Sequence, residues 1–470
     1  MDKRAEVITP LQPHQREALR RALAGNLVLA HSTGSGKTLT SIAAADAIGR
    51  PAVVLTPASL VENYRKELAK HTRGGPEYTV MSLPTAVRQN FEIPEGATLV
   101  VDEAHSARNS DTERAAYLRN QADRAGRVLA LTGTPAYNDP ADYAGLLSLV
   151  APRGTFPRDP AGFRERYIGQ HVTTNTPWYR PRRREDTVVT EYLRTSPSIG
   201  REVGPYIDVF SADVEKPTRV DHTVTVPLPP EQYRTYRAVM DRMPEHLRRR
   251  LLRNLPPTRA EAAQMNAFLT AVRQVANTAE GYDTTAAPGA KIVEASSRLA
   301  KAVKANPQLR ALVYSNYLDS GVNAYARELD RMGIPYGTFT GALSPKAKAK
   351  LVDDYNAGRL RALLVSGSGS EGLDLKRTNL IQILEPHWND SRIDQVIGRG
   401  IRYRSHDGLP KAQRRVDVER YISTLPPGKG TSVDEYLTTR SREKAALMAK
   451  MLRAIQKGAP RPQETNDAIR

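Results

Sequence analysis

The sequence predicts an α/β protein with two lobes, each a parallel sheet flanked by helices, and a mostly helical insertion between them. Three observations carry this. Short apolar runs recur from residue 26 (NLVLA, AVVLT, ATLVVD, RVLALTG), each ending in small or polar residues and separated by helix-like segments such as TLTSIAAADAIG and LVENYRKELAK. Buried parallel strands have this pattern. A second series (RALVYS, RALLVSG, LIQILEPH, VDVERYI) runs from about 310 to 422. Between them, from roughly 155 to 285, the pattern weakens into prolines, the basic run RPRRR at 180–184, and the helix-like PEQYRTYRAVMDRM and RAEAAQMNAFLTAVRQVA.

The expected divisions follow: a first lobe over 1–154, a helical insertion and linker over 155–285, a second lobe over 286–440, and a helix with a disordered tail over 441–470. With 470 residues and 40% apolar content, each lobe has material for its own core. The absence of cysteine excludes disulfides and cysteine-ligated zinc. No stretch reaches the length of a membrane span, and MDKRAEVITP lacks the apolar core of a signal peptide, so a soluble, intracellular protein is expected. Lys and Arg outnumber Asp and Glu by 69 to 51, a formal charge of +18 that favours a polyanionic partner.

The chemistry begins at HSTGSGKT, residues 31–38. A strand before it and a helix after it make the strand–loop–helix arrangement of a phosphate cradle. Backbone N–H groups of Gly34, Gly36 and Lys37 would face the β-phosphate of ATP, Lys37 would reach the β and γ oxygens, and Thr38 would ligate Mg2+. His31 stands where such loops have their first glycine, a position from which a side chain can point away from the phosphates. The next apolar run ends in DEAH: Asp102 would hold the magnesium ion, and Glu103 would orient and deprotonate the attacking water. After RVLAL, the turn Thr132-Gly133-Thr134 either hydrogen-bonds to His105 and the acidic pair or is a plain strand-to-helix turn. In the second lobe, Gln395, Arg399 and Arg402 form Q-x-x-x-R-x-x-R, which sets two guanidinium groups about one helical turn apart, facing one neighbouring site or simply solvent. Gly372, within SEGLD, lets the backbone bend. Trp388 in LEPHWN reads as packing.

DEAH followed by TGTP resembles superfamily 2 helicases and translocases, and within them the SNF2-like branch. LQPHQREAL, VVLTPASLVENYRKEL, AGFRERYIG, VTVPLPPEQYRTY, VYSNY, SGSGSEGLDL, LEPHWN and DQVIGRGIR match in order along nearly the whole chain. The resemblance implies two tandem RecA-like lobes. It also implies that Gln15 reads adenine, that Gln395 binds the nucleotide, that Asp374 senses the nucleotide or the opposite arginines, and that Arg399 and Arg402 stabilise charge on the γ-phosphate. Nucleic-acid phosphates would meet Ser59, Thr340, Ser366 and Ser368, with added attraction from Arg180, Arg182, Arg183 and Arg184, unless that run is a solvated loop.

HSTGSGKT and the stretch YRSHDGLPKAQRRVDVERYI further resemble the helicase-like ATPases of large DNA viruses, of the poxvirus nucleoside triphosphate phosphohydrolase I and early transcription factor small-subunit type. Ser405, His406, Leu409 and Pro410 carry that second match, or else form a turn before the next strand. Members of the SNF2-like branch usually translocate on duplex DNA without separating it. The expectation is therefore a DNA-dependent ATPase acting on double-stranded DNA, with ATP and Mg2+ and with transcription or virion proteins as partners. A strand-separating DNA or RNA helicase and a basic nucleic-acid-binding scaffold are the alternatives.

Overall fold

The computed structural model describes residues 6–32, 34–133, 139–175, 186–194, 196–211, 216–367, 373–388, 390–402 and 405–458. Thr134, Arg180, Arg182, Arg183, Arg184, Ser368 and Gly372, and the tail expected to be disordered, lie outside the described residues. The chain divides into two compact units, residues 1–170 with 191–214 and the end from 446, and residues 171–190 with 215–445.

Among the described residues there are sixteen strands: β1 (Glu6–Val7), β2 (Leu27–His31), β3 (Ala52–Thr56), β4 (Thr72–Arg73), β5 (Tyr78–Ser82), β6 (Thr98–Val101), β7 (Arg127–Thr132), β8 (Ile168–Asn175), β9 (Asp186–Leu193), β10 (Ile207–Phe210), β11 (Thr218–Pro227), β12 (Ala311–Ser315), β13 (Tyr336–Phe339), β14 (Ala362–Ser366), β15 (Leu380–Ile383) and β16 (Arg415–Thr424). The first unit holds an all-parallel sheet in the order β10-β2-β7-β6-β3-β5, and the second an all-parallel sheet in the order β11-β16-β15-β12-β14-β13. Two small sheets pair β1 with β4 and β8 with β9.

Both large sheets are covered on both faces, which explains why their central strands read as unbroken apolar runs. In β2, Val28 and Ala30 enter one apolar cluster while Leu27 and Leu29 enter another. In β12, Ala311 and Val313 are separated from Leu312 and Tyr314 in the same way. This is the two-residue alternation of a strand with a core on each side.

The stretch 155–285 is helical in large part, and its helices Pro230–Met240, Glu245–Leu252 and Arg259–Asn277 build a core of their own with the start of the helix Val433–Gly458. It also carries β8, β9, β10 and β11, which the apolar pattern did not reveal. The reason is positional. β11 lies at a sheet edge with most of its residues exposed, and β10 is only four residues long, so neither needs a continuous apolar run.

Candidate functional site

The loop expected to cradle phosphates follows the end of one buried strand. β2 is buried along its whole length, Gly34 and Gly36 take φ of 86° and 80°, and the helix Lys37–Ile48 begins at once. Gly36 caps that helix without any side-chain hydrogen bond, so the first-turn N–H groups are available to an anion. A Cβ on Gly36 would lie 2.3 Å from Nε2 of Gln15, so glycine is demanded by space as well as by backbone angle. The buried Gln15 serves this loop directly. Its amide is 3.4 Å from both the Ser35 and Gly36 carbonyls, and its Oε1 accepts from Gln12 N at 2.8 Å. Lys37 Nζ donates to the His31 carbonyl at 2.8 Å and the Ser32 carbonyl at 3.3 Å. Ser35 Oγ is buried with no partner among the described residues. An orphaned hydroxyl, uncapped N–H groups and a cradle that a Cβ would fill are what a bound phosphate chain would complete.

The acidic pair lies on the same sheet edge. Asp102 follows β6, two strands from β2 with β7 between. Burial, reinforced by the Glu103 charge, pushes the Asp102 carboxyl above the ordinary carboxylate range; bonds from Thr56 Oγ1 and the Glu103 N–H, both 3.0 Å, and the Lys37 charge pull the other way. A divalent cation would relieve this crowding, so Asp102, with Thr38 half-buried in the first turn of the helix after the loop, fits Mg2+. Glu103 is held at φ 50° and ψ 48°, a left-handed conformation costing a non-glycine residue about 1–3 kcal/mol. His105 Nδ1 stands 3.1 Å from Glu103 Oε2. Thr132 is buried at the end of β7, opposite Ala30.

The His31 ring, which the sequence placed but could not orient, turns away from the loop. Its Nε2 bonds to Asp208 Oδ2 at 2.6 Å, and Phe210 stacks on His14 with centroids 3.8 Å apart. Asp208, Phe210, Arg21 and His14 were not found from sequence. Asp208 and Phe210 sit on IDVF, where no local pattern separates a structural strand from a linker.

In the second unit, Thr340 after β13 and Ser366 ending β14 line one cleft of about 590 Å³ together with Thr270, Arg273, Asn316 and Arg392. It opens at the carboxyl ends of β12, β13 and β14, where open parallel sheets take ligands. Arg392 Nη2 donates to the Gly367 carbonyl at 2.8 Å; Arg273, 7% exposed, donates to the Pro386 carbonyl at 2.7 Å with its guanidinium 5.2 Å from the Tyr317 ring centre. Among the described residues, no Asp or Glu lines the cleft. Beneath it Glu385 is fully buried, accepting from Ser315 Oγ, Asn316 N and Asn277 Nδ2.

The helix Asp390–Gly400 carries Gln395 and Arg399. Arg402 lies past its end, so the helical-turn spacing expected of the two arginines does not hold. Gly400 closes the helix, and Arg402 Nη1 instead reaches Asp374 Oδ1 at 3.2 Å. Ser59 is exposed in the short turn Ala58–Leu60 after β3. Trp388 packs edge-on against Tyr436 at 6.0 Å, as expected. Ser405 and His406 are buried in a turn, Ser405 Oγ bonding to His406 Nδ1 at 2.9 Å and His406 Nε2 donating to the Thr378 carbonyl at 2.8 Å.

Known proteins match this arrangement. The SNF2-related domain family matches residues 78–281, and the helicase conserved C-terminal domain family matches residues 294–404. A protein of Acanthamoeba polyphaga mimivirus, named as an ATP-dependent RNA helicase, is 31% identical over 438 residues, covering 90% of this chain and 91% of its own. The chain belongs to the SNF2-related helicase family. Within that family it is similar to the termination factor NPH-I homolog of African swine fever virus, 24% identical over 552 residues, with 90% of this chain and 74% of the relative covered. The helicase domain of Pyrococcus furiosus Hef shares the two-lobe RecA-like fold, with a TM-score of 0.51 at 15% identity over 92% of this chain and 98% of that one. The SNF2-related chain is thus a helicase-family ATPase whose relatives include viral proteins of the NPH-I type, and no helix among the described residues is long and apolar enough to cross a membrane.

Proposed function

We propose that this SNF2-related ATPase hydrolyses ATP in response to double-stranded DNA and uses the cycle to move along the duplex or to remodel protein–DNA complexes. The observation that carries the reading is the glycine cradle of Gly34 and Gly36, with Lys37 close enough to act electrostatically on Asp102, beside Glu103.

The backbone of Gly34, Gly36 and Lys37 and the Lys37 ammonium hold the phosphates, while Gln15 braces the loop and Gln395 contacts the nucleotide. Thr38 and Asp102 hold Mg2+, which when bound neutralises phosphate charge. Glu103 orients the attacking water and takes its proton. His105, beside it, steadies that carboxylate, and Thr132 and Thr134 are assigned the coupling of this site to the rest of the cycle. Arg399 and Arg402 supply positive charge to the γ-phosphate as it leaves, and Asp374 parks Arg402 until then. The backbone of the nucleic acid meets Ser59, Thr340, Ser366 and Ser368, with Arg182, Arg183 and Arg184 adding long-range attraction, and Gly372 is assigned to coupling. A net charge of +18 and a cleft lined by Arg273 and Arg392 suit a polyphosphate partner read by shape rather than base sequence.

The mimivirus relative is named for RNA, which makes RNA the second reading. The test is steady-state ATP hydrolysis alone and with duplex DNA, single-stranded DNA or RNA, at two salt concentrations, beside Glu103→Gln and Arg399→Ala. Stimulation by duplex DNA that both substitutions abolish is the expected result. Preference for RNA or single strands transfers the reading to a helicase, and no hydrolysis with any polymer sinks it.

A further inference from the structure

His31 occupies the position where loops of this kind have a glycine, and its ring does work that a glycine could not. The side chain is fully buried, with Nε2 2.6 Å from Asp208 Oδ2. Arg21 Nη1 donates to the other Asp208 oxygen at 2.6 Å, and its Nη2 donates to the Gly204 and Ile207 carbonyls at 2.7 and 3.2 Å. Burial alone would raise the Asp208 carboxyl, yet the bonds from His31 and Arg21 outweigh it and hold the group below the ordinary carboxylate range. A carboxylate only accepts, so Nε2 carries the proton. Nδ1 is buried without a partner among the described residues, which leaves the Asp208 bond as the one polar tie of the ring.

Three parts of the first unit meet at this clasp. Arg21 lies on the helix Pro13–Ala24, whose His14 Nε2 donates to the Ser35 carbonyl of the loop at 2.9 Å and whose Gln15 lies against Gly36. β10 runs in register with β2, Asp208 opposite Leu29 and Phe210 opposite His31, and the Phe210 carbonyl accepts from Ser32 N at 2.9 Å. β10 is also the last strand of the first unit before the chain passes into the second. The carbonyls of His31 and Ser32 are the ones that now hold the Lys37 ammonium. When phosphates take Lys37, those two carbonyls lose a charged donor. Filling the loop therefore changes the forces on the two residues that side chain and backbone bond to β10.

We infer that His31 and Asp208, steadied by Arg21, are positioning residues that pin the mouth of the phosphate loop to β10, so that filling the loop is felt at residues 207–211, where the chain leaves the first unit. The inference rests on the loop being a nucleotide site. None of the three residues contacts the nucleotide in this scheme, and the Lys37 contact is what gives the clasp two states to respond to.

The experiment is hydrogen exchange of the full chain with and without ATP and magnesium, for the wild type, Asp208→Asn and His31→Gly, alongside nucleotide affinity for each. In the wild type, nucleotide is expected to change exchange in peptides covering 207–211. In both variants that change disappears while affinity stays within about threefold of wild type. Arg21→Lys keeps a charge on Asp208 and is expected to retain the response. A purely structural role predicts faster exchange across the first unit regardless of nucleotide, together with lost affinity; that result, or a nucleotide response surviving in both variants, overturns the inference. If the wild type binds nucleotide without any change at 207–211, the inference alone fails. If it binds none, the nucleotide reading fails with it.

Discussion

Replacing Gly36 by alanine separates the two reasons for a glycine at the mouth of the helix Lys37–Ile48. The backbone there has φ 80° and ψ 32°, and placing an L-residue in the left-handed region costs about 1–2 kcal/mol. The new Cβ would sit 2.3 Å from Gln15 Nε2, so the amide must withdraw by roughly 1 Å to reach ordinary contact. Its bonds to the Ser35 and Gly36 carbonyls are long, at 3.4 Å, and little is lost with them. The 2.8 Å bond from Gln12 N to Oε1 is the one at risk, at about 1 kcal/mol net. Together the terms come to about 2–3 kcal/mol, or roughly 30- to 150-fold in nucleotide affinity. Titrating ATP with magnesium into Gly36→Ala, Gln15→Ala and the double variant resolves the parts. The double variant is expected to lose about 1 kcal/mol less than the sum of the single losses, because without the Gln15 side chain only the backbone term remains. Wild-type affinity in Gly36→Ala, or strict additivity in the cycle, refutes the reasoning.

Asp102 has a carboxyl raised by burial and by Glu103, so its protonated form is favoured by folding. That stabilisation is complete below the ordinary value of 3.8 and is lost as pH rises through the raised value, so at neutral pH the ionised group works against the fold. Asp102→Asn is expected to melt higher than the wild type by calorimetry at about pH 7 without nucleotide, with the advantage shrinking at about pH 4.5, and to lose ATP hydrolysis. In the second unit, Lys291 Nζ and Asp434 Oδ2 pair at 2.6 Å with both side chains fully buried; Asp434→Ala strands the ammonium and should cost about 3–5 kcal/mol in urea unfolding, while Lys291→Met with Asp434→Ala recovers most of it. Arg273→Ala and Arg392→Ala, each removing a guanidinium from the cleft, should weaken nucleic-acid binding by anisotropy and lower its salt slope by about 1, leaving nucleotide affinity intact; an unchanged slope removes the cleft from the interface.

Much of the site was legible because its parts are local. HSTGSGKT and DEAH each lie where a buried strand ends, and a strand buried on both faces writes itself as an apolar run. What escaped has the opposite character. β10 and β11 are a four-residue strand and an exposed edge strand, so neither gives a long apolar signal, and the partners they bring are invisible with them. Arg402 shows the limit of spacing rules: three residues from Arg399 implies one turn only while the helix continues, and it stops at Gly400. Gln15 shows another limit. A motif assigns it to a nucleotide, whereas its place against Gly36 comes from the packing of the helix Pro13–Ala24 on the loop.

The sequence by itself determined the two parallel-sheet lobes, the strand–glycine loop–helix at HSTGSGKT, the acidic pair at a strand end, and the family, because these depend on residues close together in the chain and on periodicities of two and 3.6. Only the tertiary structure decided what the His31 ring bonds to, since Asp208 is 177 residues away and reaches it because β10 pairs in register with β2. It alone gathered Arg273, Arg392, Thr340 and Ser366 around one cleft, from a helix of the insertion, the helix Asp390–Gly400 and the ends of separate strands. Such groupings are set by how elements pack, and side chains that meet across a sheet edge leave no mark on the order in which the chain presents them.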